Sequence, residues 1–129
     1  MEIRVYYEDT DCGNVVYYAN YLRYFERART EFLRSQGIDF SHWMREGLLF
    51  TVAEVNAKYH APAVYDDVLY VSTRVTEIRK VRFGLEHEII RKTNGELLIT
   101  GGTTMACVSG GKPARIPKEI LTALETARS

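Results

Sequence analysis

Between residues 8 and 29 the chain reads EDTDCGNVVYYANYLRYFERAR. Glu8, Asp9 and Asp11 are gathered just ahead of a turn-forming Gly13-Asn14 pair and a helical pattern. A carboxylate placed before a helix can attack an activated carbonyl or activate a water to do so. The unpaired N–H groups of the first helical turn can meet the oxyanion that develops on the other side. The same acids also have a plainer use, since Asp before a helix is ordinarily a cap or a turn former. Residue pattern alone favours that plainer use, and both readings stay open at this point.

Other reactive side chains are less suggestive. His42, His60 and His87 fall in separate predicted elements, none with a nucleophilic Ser or Cys at a recognisable spacing, and read as polar-face or satisfied histidines. Cys12 and Cys107 form no CxxC pair and read as reduced thiols, with neither a zinc site nor a redox motif. Arg23, Arg27, Arg29 and Arg34 interleave with Glu26 and Glu31 at helical spacings, which describes a solvated or interface face. Tyr17, Tyr18 and Asn20 can line a substrate pocket or pack the helix start against a sheet. In RKVR, by contrast, Arg79, Lys80 and Arg82 concentrate three cations in four residues where two strands should join.

The elements that must position these groups follow from periodicity. IRVYY alternates as a short strand. In ANYLRYFERARTEFLRSQG the apolar Leu22, Phe25, Ala28 and Phe32 recur three or four apart, with Asn20 as cap and Gly37 as stop, predicting a helix of about 17 residues. A shorter helix is expected over DFSHWMREG, capped by Asp39 or Ser41. Residues 50–60 alternate as a strand, and VLYVSTRVTEI puts Leu69, Val71, Thr73 and Val75 on one face. FGLEHEIIR continues, Asn94-Gly95 reads as a type I′ hairpin, and LLITGGTTMACVS returns, so an antiparallel meander is expected. Gly101-Gly102 signals a bulge or a close approach. Pro117 should open a short terminal helix with Leu121 and Leu124 inward.

Composition bounds the class. At 129 residues one domain, residues 1–129, is expected, and such a chain buries roughly two-thirds of its unfolded surface. With 46% hydrophobic residues, 26% charged, nine Tyr and five Phe, it is a folded globular protein and not a disordered one. Seventeen Lys plus Arg balance seventeen Asp plus Glu, leaving no global field for nucleic acid or an anionic membrane. MEIRVYYEDT carries no leader pattern and no apolar run approaches the ~18 residues of a transmembrane segment, so a cytoplasmic protein is expected. One long helix can cover only one face of a five-stranded sheet, so a second copy is expected to cover the rest.

The segment YYEDTDCGNVVYYANYLRYFERARTEFLR resembles the signature of the 4-hydroxybenzoyl-CoA thioesterase type of hotdog fold, nearest its Tol-Pal-associated acyl-CoA thioesterase branch. YHAPAVYDDVLYVSTRV resembles the same family's second stretch, and the resemblance covers essentially the whole chain. It implies an α+β hotdog fold, a five-stranded antiparallel sheet wrapped around one long helix, with a short C-terminal helix. It implies hydrolysis of acyl-CoA thioesters without metal or prosthetic group, coenzyme A being part of the substrate. A homodimer pairing into a homotetramer is implied, and association with acyl-carrier or membrane-lipid enzymes is left open. By resemblance Asp11 is the catalytic carboxylate and the Tyr18 N–H the donor to the carbonyl. Tyr17 and Asn20 are substrate-binding candidates, and Arg79, Lys80 and Arg82 would hold the nucleotide phosphates. The family often has Gly three residues after this Asp, where Asn14 stands here; Asn tolerates positive φ better than most residues. A hydratase of this fold would want a His near the helix start, and none occurs between Asp11 and Phe40. A non-catalytic acyl-thioester binder or interaction module is the alternative.

Overall fold

The structure is a computed structural model that describes residues 1–11 and 13–128. Its elements run β1 (Glu2–Arg4), a single 3-10 turn (Tyr7–Asp9), α1 (Tyr18–Ser35), α2 (Phe40–Arg45), β2 (Leu49–Tyr59), β3 (Val68–Ile78), β4 (Arg82–Arg91), β5 (Leu97–Ser109), β6 (Lys112–Pro113) and α3 (Lys118–Arg128). An α+β class with an antiparallel sheet was expected, and this order provides it. Cys12 and Ser129 lie outside the described residues.

α1 forms where the helical spacing placed it, but its buried stripe is carried by different side chains. Tyr21, Tyr24, Phe25 and Ala28 are buried, whereas Leu22 is 40% exposed. The spacing 21, 24, 25, 28 is one helical face, and large aromatic rings bury more apolar area there than Leu22 would. The helix begins at Tyr18, so Asn20 sits inside its first turn and is not the cap. Its end is as expected. Gly37 takes φ +84°, its N–H donates to Arg34 O, and Ile38 N–H donates to Leu33 O, the paired bonds of a left-handed helix stop. Asp39 caps α2 through an acceptor bond from His42 N at 3.3 Å. In α3 the buried residues are Ile120 and Leu124, with Leu121 only half-buried.

The strands lie in the order β1-β3-β4-β5-β2, with β6 beside β5. Chain-order pairing therefore holds for β3, β4 and β5 and fails for β2, which occupies the edge beyond β5. β2 is exposed on both faces for most of its length, while β3, β4 and β5 alternate buried residues. A strand with little inward apolar surface stabilises nothing in the centre of a sheet and is tolerated at its edge.

Leu69, Val71 and Val75 are buried on the expected face of β3, with Thr73 half-buried. The Asn94-Gly95 connection is longer than a two-residue hairpin, since β4 ends at Arg91 and β5 begins at Leu97. A type I′ turn needs positive φ at both central residues, and only Gly95, at +72°, has it. The Asn94 side chain instead accepts from Glu96 N at 3.0 Å. At Gly102 a Cβ would sit 3.2 Å from the Asn56 amide, so this glycine marks a close approach.

The chain divides into two compact units. The first comprises Met1–Glu31, Ala57–Thr73 and His87–Gly101; the second comprises Phe32–Asn56, Arg74–Glu86 and Gly102–Ser129. The first has a core of Val5, Val16, Tyr21, Phe25, Leu69, Ile89 and Leu98 among others. The second packs Leu33, Ile38, Phe83, Leu85, Met105, Ile120 and Leu124. Cys107 in the second unit is a free, buried thiol whose pKa burial raises. Among the described residues no helix is long and apolar enough to cross a membrane.

Candidate active site

The acidic loop lies wholly within the first unit, and its two aspartates are used differently. Asp9 closes the 3-10 turn: its carboxylate accepts from Tyr6 N at 2.9 Å. Its backbone carbonyl accepts from both Tyr17 N and the Asn20 amide at 2.9 Å, so the loop is tied to the start of α1. Asn20 is buried as a result, facing Asp9. Among the described residues the neighbouring Tyr24 hydroxyl is buried without a partner at hydrogen-bond distance. Burial first and the Asp9 charge second raise its pKa, keeping it neutral.

Asp11 sits in the next turn. Its N–H donates to Val15 O and its carbonyl accepts from Asn14 N, both at 3.0 Å. Its carboxylate accepts from Gly13 N at 2.8 Å. Asn14 takes φ +63°, so Asn does supply the left-handed residue this turn needs. Isolated bridges Thr10 to Val16 and Val15 to Val64 clamp the loop on both sides. Asp11 itself is exposed.

Tyr17 N is engaged by Asp9 and Asn20 N by Tyr17 O, which leaves Tyr18 N and Ala19 N as the first-turn donors that meet no acceptor among the described residues. Tyr18 opens α1 and lines a pocket of about 260 Å³, together with Val15, Val16, Tyr21, Tyr59, His60, Ala61 and Pro62. Tyr59 packs against Tyr18 and Tyr21 at ring separations of 5.1 and 5.5 Å. The Tyr21 hydroxyl accepts from Ala63 N at 3.0 Å, and burial raises its pKa. Of the sequence candidates, Tyr18 lines this pocket, Tyr17 stands exposed outside it, and Asn20 is turned toward Asp9. Residues 59–62 line the pocket without being sequence candidates for substrate binding. YHAP lies in the family's second stretch, but nothing in its local sequence marks these four residues as lining a pocket.

The basic candidates belong to the second unit. Arg79 and Arg82 close the turn between β3 and β4 through Arg79 N to Arg82 O at 2.8 Å. Arg79 also pairs with Glu77 at 3.2 Å, with both side chains largely exposed. Lys80 and Arg82 are exposed. Lys80 O accepts from Ile116 N and Val81 O from Cys107 N, so the segment carrying Arg115 runs beside this turn. Four cations thus share one neighbourhood.

His87, on β4, is fully buried and stacked on Phe25 at 4.8 Å, with Nδ1 3.0 Å from the Thr73 hydroxyl. Burial first and Arg29 second lower its pKa to about 4, so it is neutral at ordinary pH.

Three comparisons complete the description. Residues 5–124 match the family model of the thioesterase-like superfamily. The chain is 42% identical over 125 residues to the acyl-CoA thioesterase YbgC of Haemophilus influenzae, covering 94% of this chain and 90% of that protein. It is 39% identical over 121 residues to the acyl-CoA thioester hydrolase YbgC of an Escherichia coli O6:H1 strain, covering 92% and 90%. A 1,4-dihydroxy-2-naphthoyl-CoA thioesterase from Synechocystis superposes with a TM-score of 0.90 at 27% identity, covering 96% of this chain and 93% of that one.

Proposed function

This chain belongs to the thioesterase-like hotdog superfamily, whose Tol-Pal-associated YbgC acyl-CoA thioesterases are its homologues, and from that premise we propose that it is an acyl-CoA thioesterase with Asp11 as its catalytic carboxylate. The observation that carries the proposal is an accessible Asp11 at one end of the short loop that enters α1 and, at the other end, a Tyr18 N–H that meets no acceptor among the described residues. A thioester carbonyl set against Tyr18 would be polarised by that N–H as charge develops on oxygen. Asp11 would act from the other side, either removing a proton from the attacking water or attacking the carbonyl to form an anhydride that water then opens. In both routes the C–S bond breaks and coenzyme A leaves as the thiol. The reaction uses no metal or prosthetic group in this reading.

The aromatic pocket beside Tyr18 supports a compact acyl group, and Arg79, Lys80 and Arg82, joined by Arg115, are the proposed contacts for the nucleotide phosphates. The unpaired edge of β2, with Leu49, Val52, Val55 and Tyr59 exposed, supports assembly with a second copy. Sedimentation should find a dimer or tetramer at micromolar concentration. A stable, fully active monomer would overturn that part.

The test of the central claim is release of free coenzyme A from acyl-CoA by the purified protein and by its Asp11→Asn and Asp9→Asn variants. Loss with the first and retention with the second support the reading; equal activity in both removes it.

A further inference from the structure

We propose that Arg91 is a positioning residue for this chemistry, its guanidinium anchoring the segment 62–64 that sets the Asp11 loop against the start of α1; this rests on the thioesterase reading above. The segment lies between β2 and β3 and belongs to neither strand. On one side it meets both halves of the site. Ala63 O accepts from Val16 N at 2.9 Å, and Val64 bridges Val15, whose carbonyl accepts from Asp11 N at 3.0 Å. Ala63 N donates to the Tyr21 hydroxyl at 3.0 Å, and Tyr21 stands about one turn beyond Tyr18 on α1. The carboxylate and the N–H donor thus share one support.

That support is held from its other side by a residue distant in the chain. Arg91, the last residue of β4, donates through Nη2 to Pro62 O at 2.9 Å, through Nε to Asp67 Oδ2 at 3.1 Å, and through Nη1 to Glu96. Asp67 extends the hold, because the same Oδ2 accepts from Val64 N at 3.0 Å. Three acceptors in three directions match the rigid fork of a guanidinium, whereas an ammonium is a point charge on a flexible stem. The Arg91 and Asp67 side chains are each only 16% exposed. The adjacent Arg4–Asp66 pair is the opposite case: its side chains are 54% and 68% exposed, and Arg4 bonds to Asp66 alone. All of these residues belong to the first unit. Loss of the anchor would let the Asp11 loop shift against α1, and a misplacement of about 1 Å at reacting groups can cost ~10²-fold in rate.

The experiment follows coenzyme A release from butanoyl-CoA, decanoyl-CoA and benzoyl-CoA, with each protein assayed well below its own melting midpoint. Wild type is compared with Arg91→Lys, Arg91→Gln, Arg91→Gln combined with Asp67→Asn, and Arg4→Gln. The combined variant removes both charges and leaves no uncompensated buried ion, so it keeps a folded protein to measure. Arg91→Gln and the combined variant should lose about tenfold or more in kcat, with KM within about threefold of wild type. Arg91→Lys should recover part of the loss, and Arg4→Gln should keep the wild-type kcat. In an Asp11→Asn background the loss from Arg91→Gln should shrink to about twofold, because the carboxylate it positions is gone; partial unfolding would lower both backgrounds equally. Wild-type kcat in the combined variant, an equal loss in both backgrounds, or failure of every Arg91 variant to fold overturns the proposal. If Asp11→Asn lowers turnover while Arg91→Gln does not, this inference alone falls. Wild type that hydrolyses none of the three esters removes the thioesterase reading and this one with it.

Discussion

Asp9 and Asp11 stand two residues apart on the same loop, yet the fold uses one and leaves the other accessible. Asp9 is half-buried and, through its carboxylate and carbonyl, meets Tyr6, Tyr17 and Asn20. Asp11 is exposed and its carboxylate accepts one local bond, from Gly13. Two histidines of the same unit also differ, His87 being buried against Thr73 and Phe25 with its Nε2 meeting no partner among the described residues, and His60 standing exposed beside Thr100. A carboxylate whose bonds are already made within the protein, as at Asp9, stabilises the fold. One held in place with bonding capacity to spare can meet a ligand.

The largest expected effect tests the acid pair. Asp11→Asn keeps the shape and the Gly13 bond while removing the charge, so kcat should fall by about 10²–10⁴-fold with the melting temperature nearly unchanged. A variant that melts earlier but turns over normally would make Asp11 a turn residue and erase the contrast.

The buried imidazole comes next. His87 has a folded pKa of about 4, below the ordinary 6.5, because burial, with Arg29 second, penalises its cation. As pH falls the unfolded chain takes up this proton first. The contribution is thus fully present above about pH 6.5 and is lost as pH drops through 4, amounting to about 3 kcal/mol. Urea unfolding between pH 7 and 4 should show this loss in the wild type and not in His87→Leu. Parallel pH curves for the two would end the assignment.

Asp9→Asn should cost about 1–2 kcal/mol of stability, because bonds to an ionised acceptor become bonds to a neutral amide. Its kcat should stay within a few-fold of wild type. A collapse of kcat at full stability would move Asp9 into the chemistry.

The smallest effect concerns the basic turn, where Arg79 is already paired with Glu77. Such exposed pairing is weak and leaves the cation usable. Replacing Arg79 and Lys80 by Gln should raise KM for acyl-CoA several-fold and flatten its salt dependence, with kcat nearly constant. A pantetheine thioester lacking the nucleotide should not register the change. Wild-type KM at low salt would return the cluster to surface charge.

What the sequence alone determined is local in its physics. The helix after the acidic loop, its stop at Gly37, a capped α2 with Asp39 and Ser41 as candidates, the inward face of β3 and the left-handed Asn14 follow from periodicity and from φ preferences a few residues wide. The family signature likewise directed attention to Asp11 ahead of Asp9. Tertiary structure decided what depends on partners distant in the chain. Nothing near Asn20 says that it will bind Asp9 and not a substrate, because that bond needs the loop folded back onto α1. Nothing near β2 says that it will pair with β5 at an edge, since strand order is set by which faces can be buried together. The end of β2 is likewise shaped from a distance, where Leu98, thirty-eight residues beyond His60, accepts from both His60 N and Ala61 N.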